Sequence, residues 1–281
     1  MRQLIRSIRA VFFHPLNKNR IGETLIRILW WKMNQLFFHL PAIVDITPNR
    51  KCICYPDSSY GGLFIYMGIP EYEGVNYILK NLNADDIFID VGACIGDYSL
   101  FASSVITHGH IYAFEPYYKS VALFEENIRL NGIKNISIFK GVASDKNGYE
   151  RLNVEKEVEI NHITHNKNDS NTVKVPSITL DTYIENNHIT EVSILKIDVE
   201  GAEMKVLHGA EKNIKRKTIK KILIELNNNN QFFGTSNKDI AQWLEDKGYR
   251  LYILNENKAM KIKKVDISND QILNILAILK S

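Results

Sequence analysis

From residue 87 onward the chain alternates two rhythms. Short apolar runs of strand length, Ile87 to Val91, His110 to Phe114, Ile136 to Val142, Val192 to Ile197 and Lys221 to Leu226, are separated by segments whose apolar residues recur at helical spacing. Those segments predict helices over Asp97 to Val105, Tyr117 to Leu130 and Ala202 to Ile214. Strand and helix in alternation imply an α/β fold, a doubly wound and mostly parallel sheet with right-handed crossovers. Tyr149 to Val154 and Thr172 to Ile178 predict an antiparallel pair, with residues 155–171 between them as an exposed loop. Asn227 to Asn230 reads as a loop and Lys238 to Lys247 as a helix. Tyr249 to Leu254 and Ala259 to Val265 predict a hairpin on an antiparallel edge, and Asn269 to Leu279 a last helix.

Upstream the rhythm changes. Leu4, Ile5, Ile8, Val11 and Phe12 lie at helical spacing until Pro15, and Gly22 to Phe38 is helical and unusually aromatic, with Trp30, Trp31, Phe37 and Phe38. Ile43 to Tyr66 reads as a small β segment with turns, and Pro70 with Glu71 and Glu73 opens a helix to Leu82. The organisation expected is a helical extension over residues 1–50 followed by one domain over 51–281.

Composition narrows this picture. With 281 residues, 45% hydrophobic and 24% charged, the chain has an ordinary globular make-up, which excludes a disordered or fibrous protein. A net charge of +3 is too small for a nucleic-acid partner of the whole chain. The charge is uneven, however, because residues 1–44 hold Arg2, Arg6, Arg9, Lys18, Arg20, Arg27 and Lys32 against Glu23. Residues 1–38 therefore suit either a cap packed on the domain or a peripheral contact with a membrane surface. Lys32, His39 and Pro41 interrupt the richest apolar stretch before it reaches the ~18 residues that span a bilayer. Cys52, Cys54 and Cys94 make no disulfide framework, and Cys52 and Cys54 would share one side of a strand in a reducing compartment. The expected location is cytoplasmic.

The chemistry gathers where strands end. After Ile87 to Val91, Gly92 and Gly96 permit a tight turn and a close ligand approach. Glu115 ends the next strand, where an acid accepts hydrogen bonds from ribose hydroxyls in both nicotinamide and S-adenosylmethionine sites. Asp90 before the first glycine suits the cationic amino-acid end of S-adenosylmethionine and is poorly placed beside a pyrophosphate. Cys94 stands where a middle glycine of the dinucleotide fingerprint would be, and Asp145 after the third strand can accept from an adenine amino group. Asp198, at the carboxyl end of the fourth strand, faces the crevice next to the first and is the candidate catalytic residue on the acceptor side. Lys196, Asp198 and Glu200 share one side by period two. His162 and His165 sit in a polar excursion without a fixed partner, and His208 lies within a helix.

The succession of Asp90 to Gly96, Phe114 to Pro116, Ser144 to Gly148, Leu180 to Tyr183, Leu195 to Glu203 and Val206 to Ala210 resembles the FkbM family of S-adenosylmethionine-dependent O-methyltransferases. Where that family usually carries Asn, this chain has Cys94. The resemblance implies S-adenosyl-L-methionine as cofactor, bound by Asp90, Gly92, Gly96, Glu115 and Asp145. It also implies methyl transfer to a hydroxyl of a small-molecule or glycan acceptor, with Asp198 near the reacting oxygen. Glu225 and Asn227 end the fifth strand, and an acid after the fourth strand with an acid or amide after the fifth holds a divalent metal in some O-methyltransferases. The ligand set is incomplete here, so no metal ligand is assigned and metal dependence is the lesser reading. Two other readings remain open: a catalytically silent scaffold or membrane-surface module, and a nicotinamide oxidoreductase.

Overall fold

Apolar runs with polar ends must pair their backbone groups while burying two faces, and a sheet covered by helices does both. The computed structural model describes residues 11–153, 162–163, 172–255, 258–261, 267 and 273–280. Its central sheet has eight strands in the order β13-β12-β14-β11-β10-β3-β4-β5. Parallel pairing joins β11 (Lys221–Leu226), β10 (Ile194–Ile197), β3 (Ile87–Val91), β4 (His110–Phe114) and β5 (Ile136–Phe139). β12 (Tyr249–Asn255), β13 (Lys258–Lys261) and β14 (Leu273–Leu279) form the antiparallel flank.

The chain leaves β3 toward β4 and β5, then returns to the other side of β3 with β10 and β11. The carboxyl ends of β3 and β10 therefore flank the switch point where doubly wound sheets bind ligands. Each strand feeds both faces. Ile89 and Val91 pack with Leu195, Leu207, Ile224 and Leu244 on one side, while Phe88 packs with Leu100, Phe101, Phe64 and Trp31 on the other.

A second, four-stranded sheet in the order β6-β9-β7-β8 joins β6 (Val142–Ala143), β9 (Thr172–Ile178), β7 (Gly148–Asn153) and β8 (His162–Ile163). β7 and β9 pair antiparallel as the alternation predicts. The run expected as one strand to Val142 divides instead at residues 140 and 141. A Cβ at Gly141 would collide with the Pro176 carbonyl, so the backbone passes close under β9 and changes sheet. Most of the loop expected over 155–171, including His165, lies outside the described residues.

Three further expectations are corrected. The helix expected over Asn269 to Leu279 is replaced, in its described part, by a strand: Leu273–Leu279 is β14, inserted between β11 and β12 with hydrogen-bonded neighbours on both sides. Between Ile43 and Tyr66 the hairpin of β1 (Ala42–Thr47) and β2 (Arg50–Cys54) is followed by a helix, Ser59–Met67, capped by Ser58 accepting from the Gly61 N–H. The single helix expected over residues 202–214 is two, Glu203–Gly209 and Glu211–Lys215, parted at Ala210.

At the N-terminal end, helix Ile21–Met33 continues as a π-helical turn, Asn34–Phe38. Trp31 is fully buried against Phe64 and Cys54, and Cys52 and Cys54 are both buried on the same side of β2. The β1–β2 hairpin straddles residue 50 and is tied to helix Tyr118–Leu130, whose Asn127 and Asn131 side chains accept from the Ile53 and Lys51 N–H groups. Among the described residues, no helix is long and apolar enough to cross a membrane.

Candidate active site

The glycine turn after β3 is shaped by two collisions that only a missing side chain avoids. Gly92 has φ +79°, and a Cβ there would strike the Asp198 carbonyl; Gly96 has φ +87°, and a Cβ there would strike the Phe124 ring. Between them Cys94 holds φ 48°, the left-handed region where Asn is enriched and most side chains are costly. That gives the Asn expected at this position a backbone reason and leaves Cys94 as a tolerated substitute. The Cys94 N–H donates to Glu115 Oε2 at 2.9 Å, and the Tyr117 N–H donates to Oε1 at 2.8 Å. Glu115 thus clasps the turn to the end of β4, and its burial pushes its carboxyl up to about 7 against those two donors.

Beneath the turn lies a buried ion cluster. Lys196 Nζ donates to the Gly92 carbonyl at 2.9 Å and sits 3.5 Å from Asp90 Oδ1 and 3.4 Å from Asp198 Oδ2. Desolvation pulls the lysine down, but Asp198, Asp90, Asp97 and Glu71 together hold it well above the usual lysine range. Asp90 is fully buried and also accepts from Ser99 Oγ at 2.7 Å. It supports the turn from below and is not among the pocket-lining residues.

Above the turn a pocket opens, lined by Gly92, Cys94 and Glu115 at one end and Glu71, Asp97, Lys196, Asp198 and Glu225 at the other. The structure brings Glu115 and Asp198, on the strands either side of β3, to the same cavity. Glu71, Asp198 and Glu225 present carboxylate oxygens within 4.8 Å of one another. Burial, then the charges of Asp198 and Asp97, push Glu71 up to about 7, although Tyr98 donates to its Oε2 at 2.9 Å. Burial, then Asp198 and Glu71, push Glu225 up to about 9. Near neutral pH Glu225 therefore holds its proton and can donate a hydrogen bond, while Glu71 lies at the midpoint of its titration.

Not every candidate joins this cluster. Asp145 is exposed just beyond β6, accepting from Ser144 Oγ at 3.2 Å, while Val142 and Ala143 before it line the pocket. Glu200 lines the pocket with Lys196 and Asp198 although β10 ends at Ile197; it takes φ 54° and accepts from Asn227 and Asn229. Asn227 faces that group and not the acid cluster. His208 packs on Trp243. Glu71, Asp97 and Tyr98 were not singled out as site residues. Glu71 precedes a helix far upstream in sequence, and its only local signal is an acid at a helix start.

This pocket fits a cationic ligand with a nucleoside end: acids crowd one end, and the Gly92 and Cys94 turn lies at the other. Together, the sheet order, the glycine turn after β3 and the acid ending β4 define a Rossmann-like α/β fold with its ligand site at the switch point. The FkbM methyltransferase domain model matches residues 90–251, and the chain belongs to that family, with S-adenosylmethionine as its cofactor. A hexuronic acid methyltransferase, AglP, from Haloferax volcanii is 23% identical over 176 residues, 63% of this chain and 68% of that protein. Methyltransferase 1 of Beauveria bassiana is 25% identical over 189 residues, 60% of this chain and 74% of that one. Among solved structures, a precorrin-6y C5,15-methyltransferase from Geobacter metallireducens aligns with a TM-score of 0.44 at 13% identity, over 74% of this chain and 88% of that chain.

Proposed function

We propose that this methyltransferase transfers its methyl group to oxygen, on a sugar hydroxyl of a polysaccharide, glycolipid or glycosylated metabolite. The observation that carries the reading is Asp198, which is 22% exposed in the pocket wall and fixed from behind by Lys196. When bound, S-adenosylmethionine supplies a methyl group already activated by its sulfonium, so the protein must position the acceptor and take its proton.

In this reading Asp198 accepts the proton of the acceptor hydroxyl. Lys196 keeps Asp198 oriented through their ion pair at 3.4 Å. Glu225, which keeps its proton near neutrality, donates to a neighbouring hydroxyl, and Glu71 accepts from or donates to another, as a polyhydroxylated acceptor requires. Glu115 and the Gly92 to Gly96 backbone hold the ribose and amino-acid parts of the cofactor. Asp90 acts through Lys196 and Ser99, and Asp145 serves the adenine. The hexuronic acid activity named for the Haloferax relative supports a sugar acceptor.

Asp198→Asn should lower kcat by roughly 10²–10⁴-fold on a methylatable glycan while S-adenosylhomocysteine affinity, read by calorimetry, stays within a few-fold. Full activity in this variant would remove Asp198 from the reaction. Transfer to nitrogen or carbon, identified by mass spectrometry of the product, would refute the oxygen acceptor.

A further inference from the structure

Helix Ile21–Met33 is inside out. A surface helix turns its apolar stripe to the core and its polar side to water. Here Thr24 is buried, with its hydroxyl on the Arg20 carbonyl, and Arg27 turns inward to Asn17 Oδ1 at 2.7 Å. Asn34, at the start of the π-helical turn, is buried and donates to the Leu40 carbonyl. The outward positions are Leu25, Leu29, Trp30 and Met33, continued by Phe37 and Phe38. Leu29 is 62% exposed and Phe37 72% exposed. At about 100° per residue Leu25, Leu29 and Met33 lie opposite buried Trp31 with Trp30 at the edge of the same arc, so they form one face, and Phe37 and Phe38 are exposed on the π-helical turn that follows. Isolated exposed apolar residues are ordinary, but a contiguous face of this kind marks a contact surface.

Charge selects the occupant. Lys32 borders the face by helical position, and Lys18 and Arg20 are exposed at its N-terminal end. Arg2, Arg6 and Arg9 precede them in sequence, and Glu23 is the sole acid of residues 1–44. A second copy docked on the same patch would press two cationic rims together. An anionic bilayer answers both the apolar face and the rim. We propose that this face seats the protein on an anionic membrane surface, with the aromatic and leucine side chains entering the interface and the basic residues meeting lipid headgroups.

The chain just before this helix packs beside the pocket. The His14 ring meets Tyr72 edge-on at 5.6 Å, and Tyr72 follows the pocket-lining Glu71. Seating here would bring lipid-borne acceptors toward the site; that consequence rests on the glycan reading above, whereas the membrane contact does not.

The test is cosedimentation of the full chain with vesicles of phosphatidylcholine and phosphatidylglycerol, and with phosphatidylcholine alone. The expected result is binding to the anionic vesicles that weakens with added salt. The double variant Leu29→Ser, Phe37→Ser should bind at least about tenfold more weakly, with unchanged melting temperature and S-adenosylhomocysteine affinity. Wild type that fails to bind the anionic vesicles, or a double variant that binds them equally well, overturns the proposal. So does light scattering that finds a dimer dissolved by the double variant. Vesicle binding that fails while methyl transfer persists leaves the proposed function intact, and the converse result separates the two in the other direction.

Discussion

At Gly92 one absent methyl group connects the fold to the site. Its φ of +79° is cheap only for glycine, and its α-carbon faces the Asp198 carbonyl too closely for any Cβ. Gly92→Ala should therefore push the end of β10 away from the turn, costing on the order of 2 kcal/mol or more in stability. Calorimetry should show S-adenosylhomocysteine affinity reduced at least about tenfold, since the collision distorts the Gly92 to Gly96 backbone that holds the cofactor. Lys196 makes the complementary argument from charge. It is 4% exposed and faces Asp90 and Asp198. Lys196→Met strands those acids and should cost roughly 3–5 kcal/mol in urea denaturation. Adding Asp90→Asn should recover part of that loss; strict additivity would mean that the two side chains do not interact.

At the scale of elements, what the sequence made legible follows from how local each signal was. β3, β4 and β11 could be read to the residue because a short apolar run bounded by polar residues admits few alternatives. The turn at Gly92 and Gly96, Glu115 and Asp198 were legible because sheet topology places strand ends. Glu71 was not, because its approach to Asp198 depends on how the upstream helix packs. β14 failed for a different reason. Residues 273–279 read Leu-Asn-Ile-Leu-Ala-Ile-Leu, an apolar run without a period of two, and Leu and Ala favour helix locally. Only the open slot between β11 and β12 makes it a strand. Both of its faces are buried there, with Ile275 and Ala277 in one core cluster and Leu276 in the other. Ile275→Ala should accordingly cost about 2–5 kcal/mol, the range for a fully buried aliphatic residue and far above the effect of an exposed helical position. Chemical denaturation measures it, and a loss below about 1 kcal/mol would contradict the central placement of this strand.

Across the whole molecule, buried carboxyl groups set the response to pH. Burial outweighs the backbone donors at Glu203, pushing it up to about 7, as it does at Glu115. Glu203 Oε1 accepts from the Val199 and Gly201 N–H groups, while its Oε2 is buried with no hydrogen-bond partner, the arrangement of a carboxyl that keeps its proton. In the unfolded chain the same group releases its proton near 4.5. Between those values the folded state binds more protons than the unfolded state, so stability falls as pH rises. The contribution is fully present below about 4.5 and is lost as pH passes through about 7. Each of these two groups removes at most about 1.4 kcal/mol per pH unit in that window. Glu225, pushed up to about 9, extends the decline in the same direction. The melting temperature of the ligand-free protein should thus drop steadily from about pH 5 to about pH 9. Glu203→Gln supplies the control, because an amide keeps the Oε1 acceptor and cannot ionise. It should match or exceed wild type above neutral pH and flatten the slope, whereas an unchanged slope would show that Glu203 is already ionised in the fold.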